Sequence, residues 1–216
     1  MDEPILPERL RCALNQIDTF NQLDPRQELF ESALLPKEYA YSLHMTRWLW
    51  ALTDTPSEHV QIACRAQHLE RWTQPRDAYP MDRAGYYQWR QACARYHAER
   101  TVNIMIGCGY SAEEAAGVAA ILRKQKLKAD PDTQLMEDVA CLVFLERYFQ
   151  EFHQQHDDYD QEKWMRILQR TWSKMSEAGH QAALGLVGTL PENLQELIRS
   201  ALLTSTDPQP PARLNH

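Results

Sequence analysis

Apolar side chains recur every three to four positions along most of this chain, which is the spacing that places them on one face of an α-helix. The first predicted helix carries Leu10, Leu14 and Ile17 at this spacing. Asp24 followed by Pro25 is typical of a second helix start. The same periodicity predicts further helices over residues 39–52, 58–71, 83–106, 111–124, 135–149, 161–174, 177–187 and 191–203.

The predicted helix over residues 135–149 is apolar nearly all the way round, which is typical of the buried centre of a bundle. The helices predicted after it are less apolar, so we expect them to form a peripheral C-terminal layer. The sequence therefore predicts an all-α fold, a multi-helix bundle that forms a single domain over residues 1–203. Residues 204–216, which contain prolines and threonines, are predicted to be a flexible tail.

The composition is typical of a helical globular protein and limits the classes of partner that we expect. The chain of 216 residues is 44% hydrophobic and 25% charged, and it is long enough to bury a large core without disulfides or metals. Its net charge of −7 does not favour nucleic acid as a partner, although it leaves room for a local basic patch. No apolar run is long enough to cross a bilayer, and the five scattered cysteines are typical of reduced thiols. We therefore expect a cytoplasmic protein without a membrane partner.

Four ionisable side chains share helix faces with core residues, each on a different predicted helix: His44, His68, His97 and Asp138. Burying an unpaired carboxylate is costly, so Asp138 needs a partner such as a metal ion, an arginine or a histidine. Imidazoles with a carboxylate are a natural ligand set for a divalent Mn, Fe, Zn or Mg ion, which would activate a bound water. The alternative is that the histidines are hydrogen-bonded core residues and that Asp138 pairs with Arg65.

The order of these four residues resembles the helical HD superfamily of metal-dependent phosphohydrolases over residues 36–150. The resemblance implies an HD-like core in which His44, His68 and Asp138 bind the ion and His97 is a further ligand or an acid–base group. The chain is more closely similar to a family of bacterial and fungal proteins known as a domain of unknown function. That closer similarity lies in the runs 65–72, 79–90 and 137–146.

One position departs from the superfamily pattern, because Leu69 follows His68 where an aspartate is expected. Glu70 lies one residue further on, about 100° around the helix, and would reach the site only if the helix ends or distorts there. Glu137 is the other candidate for the missing carboxylate. Together with His97 as acid or base, these two residues are the predicted catalytic groups.

Basic side chains are predicted to line the mouth of this site and to bind substrate. They lie near His68, on the loop that follows it, or before the helix of Asp138: Arg65, Arg71, Arg76, Arg83, Arg90 and Lys124. Arginine forks match phosphate and carboxylate oxygens, so we expect a small anionic or phosphorylated ligand. Nearby aromatic side chains such as Tyr86 and Trp89 would stack on a base. Ordinary surface ion pairs are the alternative interpretation of these charges.

Together these patterns predict a metal-dependent enzyme that hydrolyses a phosphate ester of a small anionic metabolite or nucleotide. An iron-dependent oxygenase, an activity found among HD proteins, is the first alternative. A second alternative is a non-catalytic module that binds a nucleotide or part of an RNA. A third is an interaction protein whose polar core residues only fix the register of its helices.

Overall fold

The computed structural model describes residues 6–156 and 158–203, and within them it confirms the all-α prediction. Two 3₁₀ turns, Arg71–Thr73 and Arg76–Ala78, lie between the third and fourth helices, and a π-helical turn, Phe144–Tyr148, joins the sixth to the seventh. The helices of the described residues are α1 (Glu8–Asn21), α2 (Lys37–Leu52), α3 (Glu58–Ala66), α4 (Arg83–Gly107), α5 (Ala112–Leu122), α6 (Pro131–Val143), α7 (Phe149–Gln154), α8 (Gln161–Lys174), α9 (Glu177–Val187) and α10 (Glu192–Leu203).

Side-chain caps explain why several helices begin where they do. The Ser57 hydroxyl accepts a hydrogen bond from the Val60 backbone N–H at 3.1 Å, which starts α3. At the start of α5, Ser111 and Glu114 form a capping box in which each side chain accepts from the other residue's backbone N–H. Gly109, with a φ of 89°, provides the left-handed residue that separates α4 from α5.

A β-hairpin stands where Asp24 and Pro25 predict a helix start, so that prediction is wrong. The strands β1 (Gln27–Phe30) and β2 (Ala33–Pro36) pair antiparallel. Oδ1 of Asp24 accepts a hydrogen bond from the Arg26 backbone N–H at 3.0 Å, an Asx-type turn that competes with helix capping and leads into β1. The Arg26 carbonyl accepts a hydrogen bond from the first residue of α2 at 2.9 Å, which places Arg26 beside that helix.

The chain divides into two compact units, one ending at Ala140 and the other beginning at Cys141. In the first unit α3 packs against α1, α2 and α5, and α4 packs against α1 and α5. Its core includes the fully buried side chains of Ile17, Met45 and Ile62. In the second unit α8 packs against α10.

Two sequence predictions about domain organisation stay predictions. They are the single domain over residues 1–203 and the HD-like core over residues 36–150. The predicted flexible tail, 204–216, lies outside the described residues. Within the described part of the chain, no helix is both long and apolar enough to cross a membrane.

Cys12 and Cys108 form a disulfide that joins α1 to the end of α4, with Cα atoms 5.7 Å apart. The prediction of reduced thiols is therefore wrong for this pair, because cysteines 96 positions apart in sequence meet only in the folded chain. Cys64, Cys93 and Cys141 are buried and do not form disulfides, which agrees with the prediction of reduced thiols for these three.

Candidate functional site

The segment after α3 carries the first residue of the candidate site, His68. Helix α3 ends at Ala66, and the chain turns over the next four residues. Leu69 is fully buried and anchors this turn in the core. Glu70 has a left-handed backbone with a φ of 53°, which ends the helical path. His68 therefore lies just beyond a helix end, with 22% of its side chain exposed, instead of within the predicted helix.

Two residues of α2 hold the His68 ring. Nδ1 of His68 lies 3.1 Å from Oε2 of Glu38. The ring stacks on Tyr41, with centroids 3.9 Å apart and planes 11° from parallel, and the Tyr41 hydroxyl donates in turn to Gln67. Among the described residues, Nε2 of His68 has no hydrogen-bond partner. An imidazole fixed through Nδ1 by a carboxylate presents Nε2 to a molecule that enters the site.

Glu38 is buried, with 3% of its surface exposed, and Arg26 balances its charge. Nη2 of Arg26 donates to Oε1 of Glu38 at 2.8 Å and to Oδ2 of Asp24 at 2.9 Å. Burial raises the pKa of Glu38, and the charges of Arg71 and Arg26 oppose that shift. Because Arg26 binds Oε1, the other oxygen of the Glu38 carboxylate accepts the Nδ1–H of neutral His68.

Asp24 supports this arrangement from the hairpin. Burial acts to raise the pKa of Asp24, but its hydrogen bonds with Arg26 outweigh burial and lower that pKa. Oδ2 of Asp24 also accepts the Glu38 backbone N–H at 3.1 Å. The unpredicted hairpin thus has a clear structural consequence: it positions the arginine and the carboxylate that hold Glu38 in place.

Positive charge surrounds the His68 ring. Burial lowers the pKa of His68 well below its ordinary value of 6.5, and the charges of Arg71, Lys124, Arg90 and Arg26 lower it further. His68 is therefore neutral at pH 7, with the lone pair of Nε2 available. Such a concentration of cations around a neutral imidazole favours an anionic ligand.

A second imidazole, the buried His97 of α4, lies beside His68. The ring centroids of His68 and His97 are 6.2 Å apart, and His97 is 3% exposed. Burial lowers the pKa of His97, followed by the influence of His68 and the charge of Arg71, while a hydrogen bond with the Gln67 backbone opposes the shift. Nε2 of His97 has no hydrogen-bond partner among the described residues. A buried polar atom without a partner is uncommon and points to a ligand or a water at this place.

Four arginines in the segment from residue 71 to residue 90 rest on aromatic rings of α4. Each guanidinium carbon lies within cation–π range of a ring centroid. The pairs are Arg71 over Trp89 at 4.6 Å, Arg83 over Tyr87 at 5.7 Å, Arg90 over Tyr86 at 5.8 Å and Arg76 over Tyr86 at 6.0 Å.

None of these four arginines forms an ion pair with a carboxylate of the described residues. The chain has 30 acidic and 23 basic residues, so carboxylates are not scarce. The other two predicted substrate-binding residues differ, because Arg65 pairs with Asp18 at 2.5 Å and Lys124 pairs with Glu137. Arg76 donates to the carbonyls of Tyr79 and Asp82, and Arg90 donates to the Tyr86 hydroxyl. Among the described residues Arg71 and Arg83 have no hydrogen-bond acceptor, so stacking orients these two guanidinium groups and leaves their N–H donors free for an anion.

The predicted metal ligands lie in different surroundings. Nε2 of His44 lies 3.9 Å from a carboxylate oxygen of Glu28. Oδ1 of Asp138 accepts a hydrogen bond from Gln134 at 2.9 Å. Among the described residues, no three His, Cys, Asp or Glu side chains are grouped as ligands of one ion. The described residues therefore do not fit a divalent metal, either for hydrolysis or for iron-dependent oxygenation.

The two predicted substitute carboxylates are engaged elsewhere. Oε2 of Glu70 accepts from Nε of Arg100 at 2.5 Å and from the Tyr96 hydroxyl at 3.2 Å. Glu137 pairs with Lys124, whose charge acts on His68. Glu70 thus ties its turn to α4, and Glu137 pairs with the lysine.

Glu38 is the site residue that the sequence interpretation missed, although a signal for it exists. The buried face of α2 contains Tyr41, Ser42 and Met45, and the same helical spacing extended backwards falls on Glu38. A carboxylate at the first turn of a helix is usually attributed to the helix dipole. Because this explanation already accounts for a carboxylate at that position, it gives no reason to look for Glu38 on the buried face.

The two depressed imidazole pKa values predict how stability depends on pH. Below about pH 6.5 the unfolded chain protonates His68 and His97 while the folded chain does not, so the free energy of unfolding falls as pH falls, by about 1.4 kcal/mol per pH unit for each imidazole. Above that pH this dependence disappears. The raised pKa of Glu38 acts in the opposite direction.

The measurement is urea unfolding between pH 7.5 and 5 for the wild type and for His97→Gln. The variant retains Glu38 and His68, so the difference between the two curves isolates the His97 imidazole. We expect the slope of stability against pH to be smaller in the variant. Parallel curves would show that the pKa of His97 is the same in the folded and the unfolded chain.

The described part of the chain is thus an all-α protein in which a buried glutamate holds a partly exposed histidine beside arginines that lack carboxylate partners. The chain belongs to the family described as Domain of unknown function (DUF4202), whose family model matches residues 11–198. This confirms the resemblance to a domain-of-unknown-function family, while the link to the HD superfamily stays a prediction. No curated protein and no solved structure matches the chain.

Proposed function

We propose that this protein binds a small phosphorylated metabolite and hydrolyses its phosphate ester, with His68 at the reacting centre. The observation that supports this proposal most strongly is the convergence of positive charge on an oriented, neutral imidazole. The charges of Arg71 and Arg90 act on the His68 ring, and Glu38 fixes Nδ1 so that Nε2 stays free.

Arg71 and Arg90 supply what a phosphate ester needs from a protein. Guanidinium groups bind phosphoryl oxygens by charge-assisted hydrogen bonds, and fixed donors in a partly dry site stabilise charge that develops in the transition state. Arg71 is held over Trp89, and the Trp89 indole N–H donates to the Gln74 carbonyl at 2.8 Å, which ties the ring to the loop. The arginine is therefore oriented before a ligand arrives.

A second candidate function is nucleotide binding without turnover. The observation in its favour is that the Tyr86 and Tyr87 rings are 41% and 47% exposed beside the unpaired arginines. Exposed aromatic rings next to cations are suited to stacking on a base while its phosphate is bound. The two functions differ in one measurable respect, because only the first releases inorganic phosphate.

Replacing Arg71 with methionine is expected to weaken the binding of inorganic phosphate and of sugar phosphates by about tenfold to a hundredfold, the range for loss of a charged hydrogen bond worth about 1.5–3 kcal/mol. Methionine keeps an unbranched apolar stem against Trp89, so the loop should stay packed. Isothermal titration calorimetry with phosphate and glucose 6-phosphate measures the affinity, and release of inorganic phosphate measures turnover.

Arg95→Met is the matched control, because Arg95 is an exposed arginine of the same helix as Arg90 and lies outside the stacked group. We expect this control to bind like the wild type. Equal weakening in both variants would mean that only net charge matters, which would contradict a defined site. Tight binding without phosphate release from any phosphate ester would favour the nucleotide-binding alternative.

A further inference from the structure

We propose that Nε2 of His68 is the nucleophile of this reaction and that hydrolysis passes through a covalent phosphohistidine. This inference rests on the proposed function and specifies its chemistry. The geometry points to it because Nδ1 is occupied by Glu38 at 3.1 Å, Tyr41 fixes the ring plane, and the remaining nitrogen has no partner among the described residues.

The charges around His68 decide between a nucleophile and a general base. A general base becomes an imidazolium when it removes a proton from water, and that adds positive charge beside Arg71 and Arg90. A nucleophile instead acquires a phosphoryl group, whose oxygens carry up to about two negative charges. The surrounding cations therefore disfavour the protonated ring and stabilise the phosphorylated one.

A weakly basic imidazole also suits the nucleophilic role. A general base acts best when its pKa lies near the working pH. A nucleophile requires only that the lone pair be free, and a pKa held well below 6.5 satisfies this over the whole neutral range.

The first step forms one bond and breaks another. The Nε2 lone pair of His68 attacks phosphorus, the bond between phosphorus and the ester oxygen breaks, and the leaving oxygen keeps that electron pair. The leaving oxygen then takes a proton from water, which yields the alcohol and a hydroxide ion. The positive charge left on the His68 ring is balanced by the Glu38 carboxylate, which remains hydrogen-bonded to Nδ1–H.

The second step restores the protein. Hydroxide attacks phosphorus, the bond between phosphorus and nitrogen breaks, and its electron pair returns to Nε2. The sum is one ester and one water converted to one alcohol and one inorganic phosphate, with no other reactant. Nε2 of His97 is buried without a described partner, and the ring centroid separation of 6.2 Å suits an oxygen atom that bridges the two imidazoles. His97 is thus placed to hold the leaving oxygen or the incoming water.

The test uses the full chain and ³²P-labelled acetyl phosphate, a small phosphoryl donor whose leaving group needs no protonation. The reaction is stopped in alkali, in which phosphohistidine survives, and the labelled peptide is identified by mass spectrometry. We expect label on His68 that approaches one phosphoryl group per chain and disappears on brief acid treatment. The variant His68→Gln should carry no label while keeping the wild-type helical content and a cooperative unfolding transition. The control His59→Gln, which changes a histidine of α3 outside the site, should label normally.

A second measurement detects the intermediate even if it hydrolyses too fast to accumulate. An ester made chiral at phosphorus with oxygen isotopes should give phosphate with retained configuration, since two successive displacements each invert it. Inversion of configuration would overturn the covalent intermediate and leave the proposed hydrolase intact with His68 as a base. If acetyl phosphate is neither bound nor hydrolysed and no sugar phosphate or nucleoside monophosphate is hydrolysed, the proposed function fails as well.

Discussion

The substitution Glu38→Gln is expected to lower kcat for phosphate-ester hydrolysis by about 10²–10⁴-fold, the range found when the group that orients a catalytic imidazole loses its charge. An amide side chain can present an NH₂ group to His68, which would place the proton on Nε2 and remove the free lone pair. It also leaves a cationic or phosphorylated ring without a balancing carboxylate. The measurement is kcat and KM on the best substrate, with the yield of phosphohistidine from acetyl phosphate.

The same substitution should change stability far less than activity. Burial disfavours the ionised form of Glu38, so removing its charge relieves part of that cost. Arg26 keeps its contacts with Asp24, at 3.0 Å and 2.9 Å. We therefore expect a loss of about 1–2 kcal/mol in the free energy of unfolding, the value of the hydrogen bonds that are weakened.

Glu28→Gln is the matched control, because Glu28 is also a carboxylate beside a buried imidazole, His44 at 3.9 Å. We expect Glu28→Gln to retain most of the wild-type kcat. If the two substitutions lower kcat equally, the Glu38–His68 pair has no special role and the proposed reacting centre is wrong.

How much of this site the sequence predicts differs from residue to residue. His68 and the arginines of the loop are predicted because the sequence alone shows them. His68 is a polar residue on an apolar helix face, and the arginines form a run of basic residues. His44 and Asp138 satisfy the same pattern, yet one contacts Glu28 and the other Gln134. Helical periodicity tells which face a side chain occupies, but the partner on that face depends on tertiary packing.

The partners of the charged residues show the same limit. Arg65 and Arg71 are six positions apart and both were predicted to bind substrate. Arg65 reaches Asp18 of α1, whereas Arg71 rests on Trp89 of α4. What separates them is the end of α3 at Ala66, after which the left-handed Glu70 redirects the chain. Leu69 takes part in that change of direction as a fully buried residue, so the position where the HD pattern has an aspartate serves the core.

The substitution Gly85→Ala is expected to lower the free energy of unfolding by about 3 kcal/mol, the upper part of the usual cost of overpacking a buried position. A Cβ at this position would lie 2.0 Å from the Pro80 carbonyl oxygen and 2.7 Å from its carbon, so backbone must move. Pro80 belongs to the loop that carries Arg71 and Arg76. Because the loop has to shift away from α4, we also expect inorganic phosphate to bind at least tenfold more weakly.

Gly107→Ala provides the control within the same helix, since a Cβ there would have no atom within 4 Å. Alanine is a better helix former than glycine, so this variant should unfold at the same denaturant concentration as the wild type or at a higher one. Urea unfolding gives the stability of both variants, and calorimetry with phosphate gives their affinities. A stable Gly85→Ala protein with wild-type affinity would show that the contact between the loop and α4 does not position the arginines. In that case the orientation of Arg71 would depend on its stacking against Trp89 alone.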